Sequence, residues 1–301
     1  MKCRVCRGPA VIDVRRHNAG FCAEHFVHHC REQVRRAIKE HDMLHPGERV
    51  LVAVSGGKDS LALWDVLVAL GYDADGLYLG LGIGEYSDHS GDAARAYAVE
   101  RDRKLHEVDL AADYGYDIPG AAATTRRAPC GACGLSKRHL FNRVAIERGY
   151  DVVATGHNLD DEAAVLLGNV MRWETEYLGR QHPVLPATPG FARKVKPLIR
   201  LGEREMAAYC VLEGIDYIVE ECPMAVGNRH LGYKEALNAL EDRSPGTKAA
   251  FVFGFLDRAQ PRFTGEARKE RETLGECAVC GSPTTGDVCA FCRLRERASG
   301  A

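Results

Sequence analysis

The chain has 301 residues, of which 46% are hydrophobic and 27% charged, and a formal net charge of −2. That is enough for one large domain with small appendages, and no run of 18 uncharged apolar residues could cross a membrane. The start, "MKCRVCRGPA", has no apolar signal-peptide core, so a cytoplasmic location is expected.

In chain order, residues 1–30 are rich in Cys and His. "REQVRRAIKEHDML" (31–44) reads as a helix, and "HPGE" (45–48) breaks it. "RVLVAV" (49–54) is a short apolar run before glycines, a buried strand. "DSLALWDVLVAL" (59–70) has helical spacing and stops at Gly71. Strands are then expected at 75–83, 106–110, 151–156, 194–199 and 215–220, and helices at 88–105, 134–149, 158–171 and 201–214. Residues 229–260 read as mainly helical, and 277–292 are again Cys-rich.

Strands alternating with helices from 49 to 220 predict an α/β fold with a doubly wound parallel sheet. Ligands of such sheets bind outside the carboxyl ends of the strands. The expected organisation is a zinc finger (1–30), a helix and linker (31–48), a catalytic domain (49–260) and a zinc ribbon (261–301).

Twelve cysteines are many for a cytosolic chain, where clustered thiols bind metal more often than they pair. Cys3, Cys6, Cys22 and His25 form C-x2-C-x15-C-x2-H. Cys277, Cys280, Cys289 and Cys292 form C-x2-C-x8-C-x2-C. Each set predicts a closed, structural zinc site. His28 and His29 lie close to the first set, but His25 repeats the x2 spacing. The ends are also basic. Residues 1–41 carry nine Lys/Arg against four Asp/Glu and residues 258–297 eight against six, which leaves the middle acidic. Local contact with a polyanion fits that distribution, as does ordinary solvated charge. Arg31, Arg35, Arg36 and Lys39 of the first helix are the candidate phosphate contacts.

"VAVSGGKDS" (52–60) follows a strand and opens a helix. Its spacing is neither a Walker loop nor a dinucleotide fingerprint. The physics is nevertheless that of phosphate binding. Ala53, Ser55, Gly56 and Gly57 let backbone N–H groups approach, Lys58 adds charge, Asp59 offers a Mg²⁺ ligand and Ser60 a donor. This segment resembles the PP-loop of N-type ATP pyrophosphatases. "ATGHNLDDEA" (154–163) is similar to that family's strand-four motif, in which an Asp pair, here Asp160 and Asp161, can hold Mg²⁺ near the phosphates, with Gly156 beside them.

Cys130 and Cys133 form a further C-x2-C without a second pair nearby. A loop after the third strand is expected to bring them to the functional edge of the sheet. Cys222, after the 215–220 segment, is expected at the same edge, whereas Cys210 reads as a buried small hydrophobe. Three readings fit the three thiols: zinc lacking a fourth ligand, a persulfide carrier, or a [4Fe–4S] cluster with one open iron.

A PP-loop, a central C-x2-C with one downstream Cys, and zinc modules at both ends together resemble the TtuA family of tRNA 2-thiouridine synthetases. The likeness covers nearly the whole chain. It implies a cluster on Cys130, Cys133 and Cys222, with Lys137 and Asp161 as catalytic residues beside Cys130, Cys222 and Asp59. It also implies ATP, Mg²⁺, two Zn²⁺, a tRNA substrate, a ubiquitin-like thiocarboxylate carrier as sulfur donor, and a homodimer. Members act on uridine 54 of the T loop or on the wobble uridine.

Overall fold

The computed structural model describes residues 1–125, 127–225, 227, 229–264 and 274–300. Its centre is a six-stranded sheet in the order β5-β4-β3-β6-β8-β7. The strands are β3 (Arg49–Val54), β4 (Asp73–Gly80), β5 (Leu105–Asp109), β6 (Val152–Thr155), β7 (Val184–Leu185) and β8 (Arg193–Val195). β7 runs antiparallel on one edge, and all other pairs are parallel. β3 aligns Val50 with Ala74 on one side and Val152 on the other.

Alternation along the strands divides the core. Val50, Val52 and Val54 of β3 and Val152 and Ala154 of β6 face one apolar cluster. Leu51, Leu77, Leu79 and Val153 face the other. The first cluster is filled from α1 (Ala23–His41), α2 (Lys58–Ala69), α7 (Leu159–Arg172), α9 (Glu203–Glu213) and α11 (Thr247–Arg258). The second is filled from α4 (Leu110–Tyr114), α5 (Ile118–Thr125), α6 (Pro129–Glu147) and the last helix, α12 (Ala290–Ser299). The chain winds β3–β4–β5 outward, with α3 (Gly84–Glu100) between the last two strands, then returns to the other side of β3 as β6. The crevice between β3 and β6 is therefore the topological switch point.

The expected 215–220 strand is absent. Those residues join no sheet, and the Ile218 N–H bonds instead to the carbonyl of Gly56. This apolar, β-branched stretch is instead a strap tied to the loop after β3. The 194–199 strand is shorter than expected, because Pro197 removes a ladder donor and starts a 3-10 turn. The loop expected to carry Cys130 and Cys133 is helix: after α4 and α5, α6 begins at Pro129 and holds both thiols in its first turn.

The first module contains a hairpin, β1 (Ile12–Val14) and β2 (Ala19–Phe21), and α1 runs from Ala23 through the expected boundary at residue 30 to His41. The last module pairs β9 (Gly275–Glu276) with β10 (Pro283–Thr284) before α12. The start expected for that module, residue 261, precedes residues 265–273, which lie outside the described residues. Among the described residues, no helix is long and apolar enough to cross a membrane.

Candidate active site and metal centres

At each end of the chain four donors converge. Ligand atoms of Cys3, Cys6, Cys22 and His25 all lie within 4.8 Å of one another, as do those of Cys277, Cys280, Cys289 and Cys292. The sulfurs of Cys6 and Cys22 are 3.8 Å apart, and those of Cys280 and Cys289 are 3.7 Å apart. Zinc–thiolate bonds of about 2.3 Å in a tetrahedron require a separation of roughly this size. Both modules use one local device. Cys22 caps α1 and His25 follows one turn in; Cys289 caps α12 and Cys292 follows at the same spacing. Burial works against ionising Cys3, yet backbone N–H groups of Cys6, Cys22 and Val5 aimed at its sulfur hold the pKa at about 6. Cys277, beneath the N–H groups of Cys289, Val279 and Cys280, is likewise held at about 6 against burial. Metal-binding thiols must be deprotonated, so these nests favour the ligand form. His29 is excluded from the first set because it stacks on Phe21 at 4.7 Å between ring centroids.

The loop after β3 and the loop after β6 meet in a cavity of about 270 Å³. Ala53, Ser55, Asp59, Ser60, Tyr86, Lys137, Gly156 and His157 line it. Gly56 has φ +71°, and a Cβ there would sit 2.2 Å from the carbonyl oxygen of Ser90. Only glycine fits both demands. Gly156 packs its Cα face on the backbone of Asp59 and Ser60, where a Cβ would meet atoms at 2.9 Å. Ser60 Oγ accepts from the Ser55 N–H at 3.0 Å and donates to the Gly57 carbonyl at 2.9 Å, which fixes the loop. The first turn of α2 contributes Asp59 and Ser60 to the cavity lining.

A charge network extends from the loop. Lys58 Nζ lies 2.8 Å from Glu203 and 3.2 Å from Asp59. Lys234, on α10 (Arg229–Arg243), bridges Asp161 at 2.6 Å and Glu203 at 3.3 Å. Burial pushes the Asp59 carboxyl up, against the pull of Lys58 and the Asn158 amide. The Lys234 ammonium is held well above its usual range despite burial, because Asp161 and Glu203 face it. Asp161 also closes a capping box with Asn158. Asp160 is turned inward, buried and paired with Lys248, so the two adjacent aspartates have different surroundings.

Cys130, Cys133 and Cys222 gather next to this cavity. The turn Pro223–Ala225, after Cys222, packs on α6. Burial first, then the neighbouring Cys133 and Cys222, push the Cys130 thiol up, while Lys137 pulls it down. Tyr86 joins the two parts: it lines the cavity, and burial together with Cys222 and Cys133 raises its hydroxyl pKa. The three thiols do not form one of the tight four-donor groups seen at the chain ends. A donor set of three cysteines, without the compact spacing of a single ion, fits a polynuclear cluster better than zinc. Cys210 is fully buried, its S–H directed at the Lys58 carbonyl 3.4 Å away, as a small core residue.

Residues 2–27 match the family model described as the N-terminal LIM domain of 2-thiouridine synthetase TtuA. The chain is 53% identical to the tRNA-5-methyluridine(54) 2-sulfurtransferase of Thermus thermophilus, over 98% of this chain and 91% of that protein. It belongs to the TtuA family of tRNA 2-thiouridine synthetases. The enzyme of the same name from Pyrococcus horikoshii is 44% identical over 98% of this chain and 93% of its own. Among solved structures, the uridine-34 tRNA thiolase NcsA from Methanococcus maripaludis, with its [4Fe–4S] cluster, superposes with a TM-score of 0.80. That match has 26% identity and covers 98% of this chain and 95% of the other.

In this TtuA-family site the motif residues lie together, but the sequence did not single out His157, Glu203 or Lys234. His157 sits beside the chosen "LDDE" run, and its Nδ1 lies 2.8 Å from Thr155 Oγ1. Though exposed to the cavity, its imidazole is shifted down by the protein packed around it, helped by Lys196. Glu203 and Lys234 read as solvated helix charges, and nothing in their local pattern marks them. The expected phosphate contacts on α1 are largely committed elsewhere. Arg31 pairs with Glu213 at 2.7 Å, Arg36 pairs with Glu40 at 2.6 Å, and Arg35 pairs with Glu32.

Proposed function

We propose that this protein is an ATP-dependent tRNA sulfurtransferase that forms 2-thiouridine at position 54 of the T loop. The observation that carries the reading is α6 itself. It carries Cys130 and Cys133 near its start and Lys137 two turns on from Cys130, where Lys137 lines the same cavity as Ser55, Asp59 and Ser60.

Gly56, Gly57 and the first turn of α2 would receive the ATP phosphates, with Lys58 released from Glu203 to meet them. Asp59 and Asp161 would hold Mg²⁺. Lys137 faces the place where the uridine C2 oxygen meets the α-phosphorus, and it offsets the charge that develops as pyrophosphate leaves. Adenylation turns that oxygen into a good leaving group. When bound by Cys130, Cys133 and Cys222, a [4Fe–4S] cluster supplies an iron with an open position for sulfur. The target base must leave its stack to reach so recessed a cavity. The zinc modules are structural. A small thiocarboxylated carrier is the expected sulfur donor, and a homodimer the expected assembly.

Anaerobically prepared protein should be brown. With ATP, sulfide and unmodified tRNA it should yield 2-thiouridine, mapped by nuclease digestion to position 54. Thiolation at the wobble position would move the enzyme to the other branch of the family, and a colourless protein with two zinc ions would remove the cluster. Cys222→Ala should lose iron and keep both zinc ions.

A further inference from the structure

The site must be flanked by a surface that holds RNA, and α1 presents its cations without an exposed Phe, Tyr or Trp ring. A different surface has the required chemistry. Trp173 is 71% exposed, and its backbone is left-handed at φ 53°. It ends α7 at a position that glycine fills with least strain. A bulky side chain there is a backbone outlier, and no burial offsets the strain. Tyr177, on α8 (Thr175–Arg180), and Met171 are exposed beside it. The Arg180 guanidinium lies 5.3 Å from the centre of the Tyr177 ring.

This patch adjoins the cysteines. Arg138, on α6, is in electrostatic reach of Tyr177, Cys133 and Arg127. Arg127 and Arg138 are exposed, and among the described residues neither pairs with a carboxylate. The carboxylate partners of Arg172 and Arg180 are loose and exposed, Glu174 at 3.6 Å and Glu176 at 3.8 Å. Such pairs are readily given up.

We propose that Trp173 and Tyr177, with Arg127 and Arg138, form an RNA-stacking rim that grips the nucleotides beside the target uridine. It rests on reading the enzyme as a tRNA thiolase. Unpaired loop bases stack on exposed aromatic rings and guanidinium planes, and phosphates take the remaining cations. A second copy of the chain suits the patch poorly. A two-fold contact would face it with itself, setting four arginines and two glutamates against the same set.

The chain has two tryptophans, and Trp64 is fully buried, so Trp173 reports on the rim alone. A hairpin RNA with a T-loop sequence, titrated into the full-length holoprotein, should quench the exposed emission, and Trp173→Phe should abolish the change. Trp173→Gly should raise KM for tRNA about tenfold, with iron content and thermal stability undiminished because glycine suits the backbone. Arg127→Gln and Arg138→Gln should each lower the salt slope of RNA binding by about one. Three results would overturn the rim: no quenching, a KM for Trp173→Gly within twofold of the parent, or an emission change that follows protein concentration without RNA. Failure of the parent enzyme to thiolate tRNA would instead overturn the proposed function, while the titration still decides whether the rim binds RNA.

Discussion

The two zinc-ligand modules share a donor geometry but join opposite faces of the sheet, and among the described residues only the first adds a buried ion pair to its apolar dock. The N-terminal module joins the first core cluster and the C-terminal module the second. The first adds a buried ion pair to its apolar contacts, which include Phe21, Phe26 and Val34. Arg16, on the turn between β1 and β2, makes a two-pronged pair with Glu205 at 2.5 and 2.9 Å and also bonds to the Arg200 carbonyl. The side chains of this pair are 12% and 7% exposed. The second is docked through apolar stacking. The Phe291 ring lies parallel to His139 at 3.9 Å and edge-on to Tyr114. The consequence is a division of labour. Glu205 caps α9 through the Gly202 N–H, beside Glu203 and its partner Lys58, so the N-terminal module braces the phosphate loop. His139 belongs to α6, so the C-terminal module braces the helix that carries Cys130, Cys133 and Lys137.

The contrast can be broken from either side. Glu205→Ala strands the buried Arg16 charge and should cost about 3–5 kcal/mol. Arg16→Met combined with Glu205→Leu should recover most of that in urea unfolding. A double variant as weak as the single would mean that a stranded charge is not the source of the loss. Phe291→Ala should cost about 3–5 kcal/mol through the cavity it leaves. Because it loosens α6, iron should be lost before ATP affinity falls. The reverse order is expected for Glu205→Ala, and identical losses in both variants would erase the division of labour.

Acid should weaken both docks together. His29 and His139 are each held at about 4, mainly by burial, with His17 and Arg143 respectively adding to the effect. Unfolded histidine takes its proton near pH 6.5, so these groups contribute stability that is present above that value and lost as pH falls towards 4. About 1 kcal/mol each should be gone by pH 5.5. Melting at pH 7.5 and 5.5, with zinc assayed at both, checks this, and His139→Phe should remove half of the difference. A flat profile would mean that both rings ionise in place. The smallest effect is expected for Cys210→Ala, about 1–2 kcal/mol with metal content unchanged, in contrast to Cys222→Ala.

Local patterns were legible where one short segment carries the chemistry. The buried strand before "SGGKDS", the helix after it and the two four-donor sets could all be read directly, because spacing alone brings their atoms together. The start of α6 was missed although Pro129 marks it, since Gly131 and Gly134 argue against a helix. The strap at 215–220 has strand chemistry, but its Ile218 N–H is taken by the Gly56 carbonyl of the phosphate loop, a partner remote in the chain. Glu203, Glu205 and Lys234 were invisible because their partners Lys58, Arg16 and Asp161 are remote in the chain.

The sequence by itself determined the parallel α/β sheet, the phosphate loop and the two metal-ligand sets, since each follows from periodicity or fixed spacing. Only the tertiary structure decided how Cys222 meets α6, which charges are consumed internally, and which aromatic residues stay outside. Those outcomes depend on which faces the sheet and helices bury, and burial is a property of the whole chain.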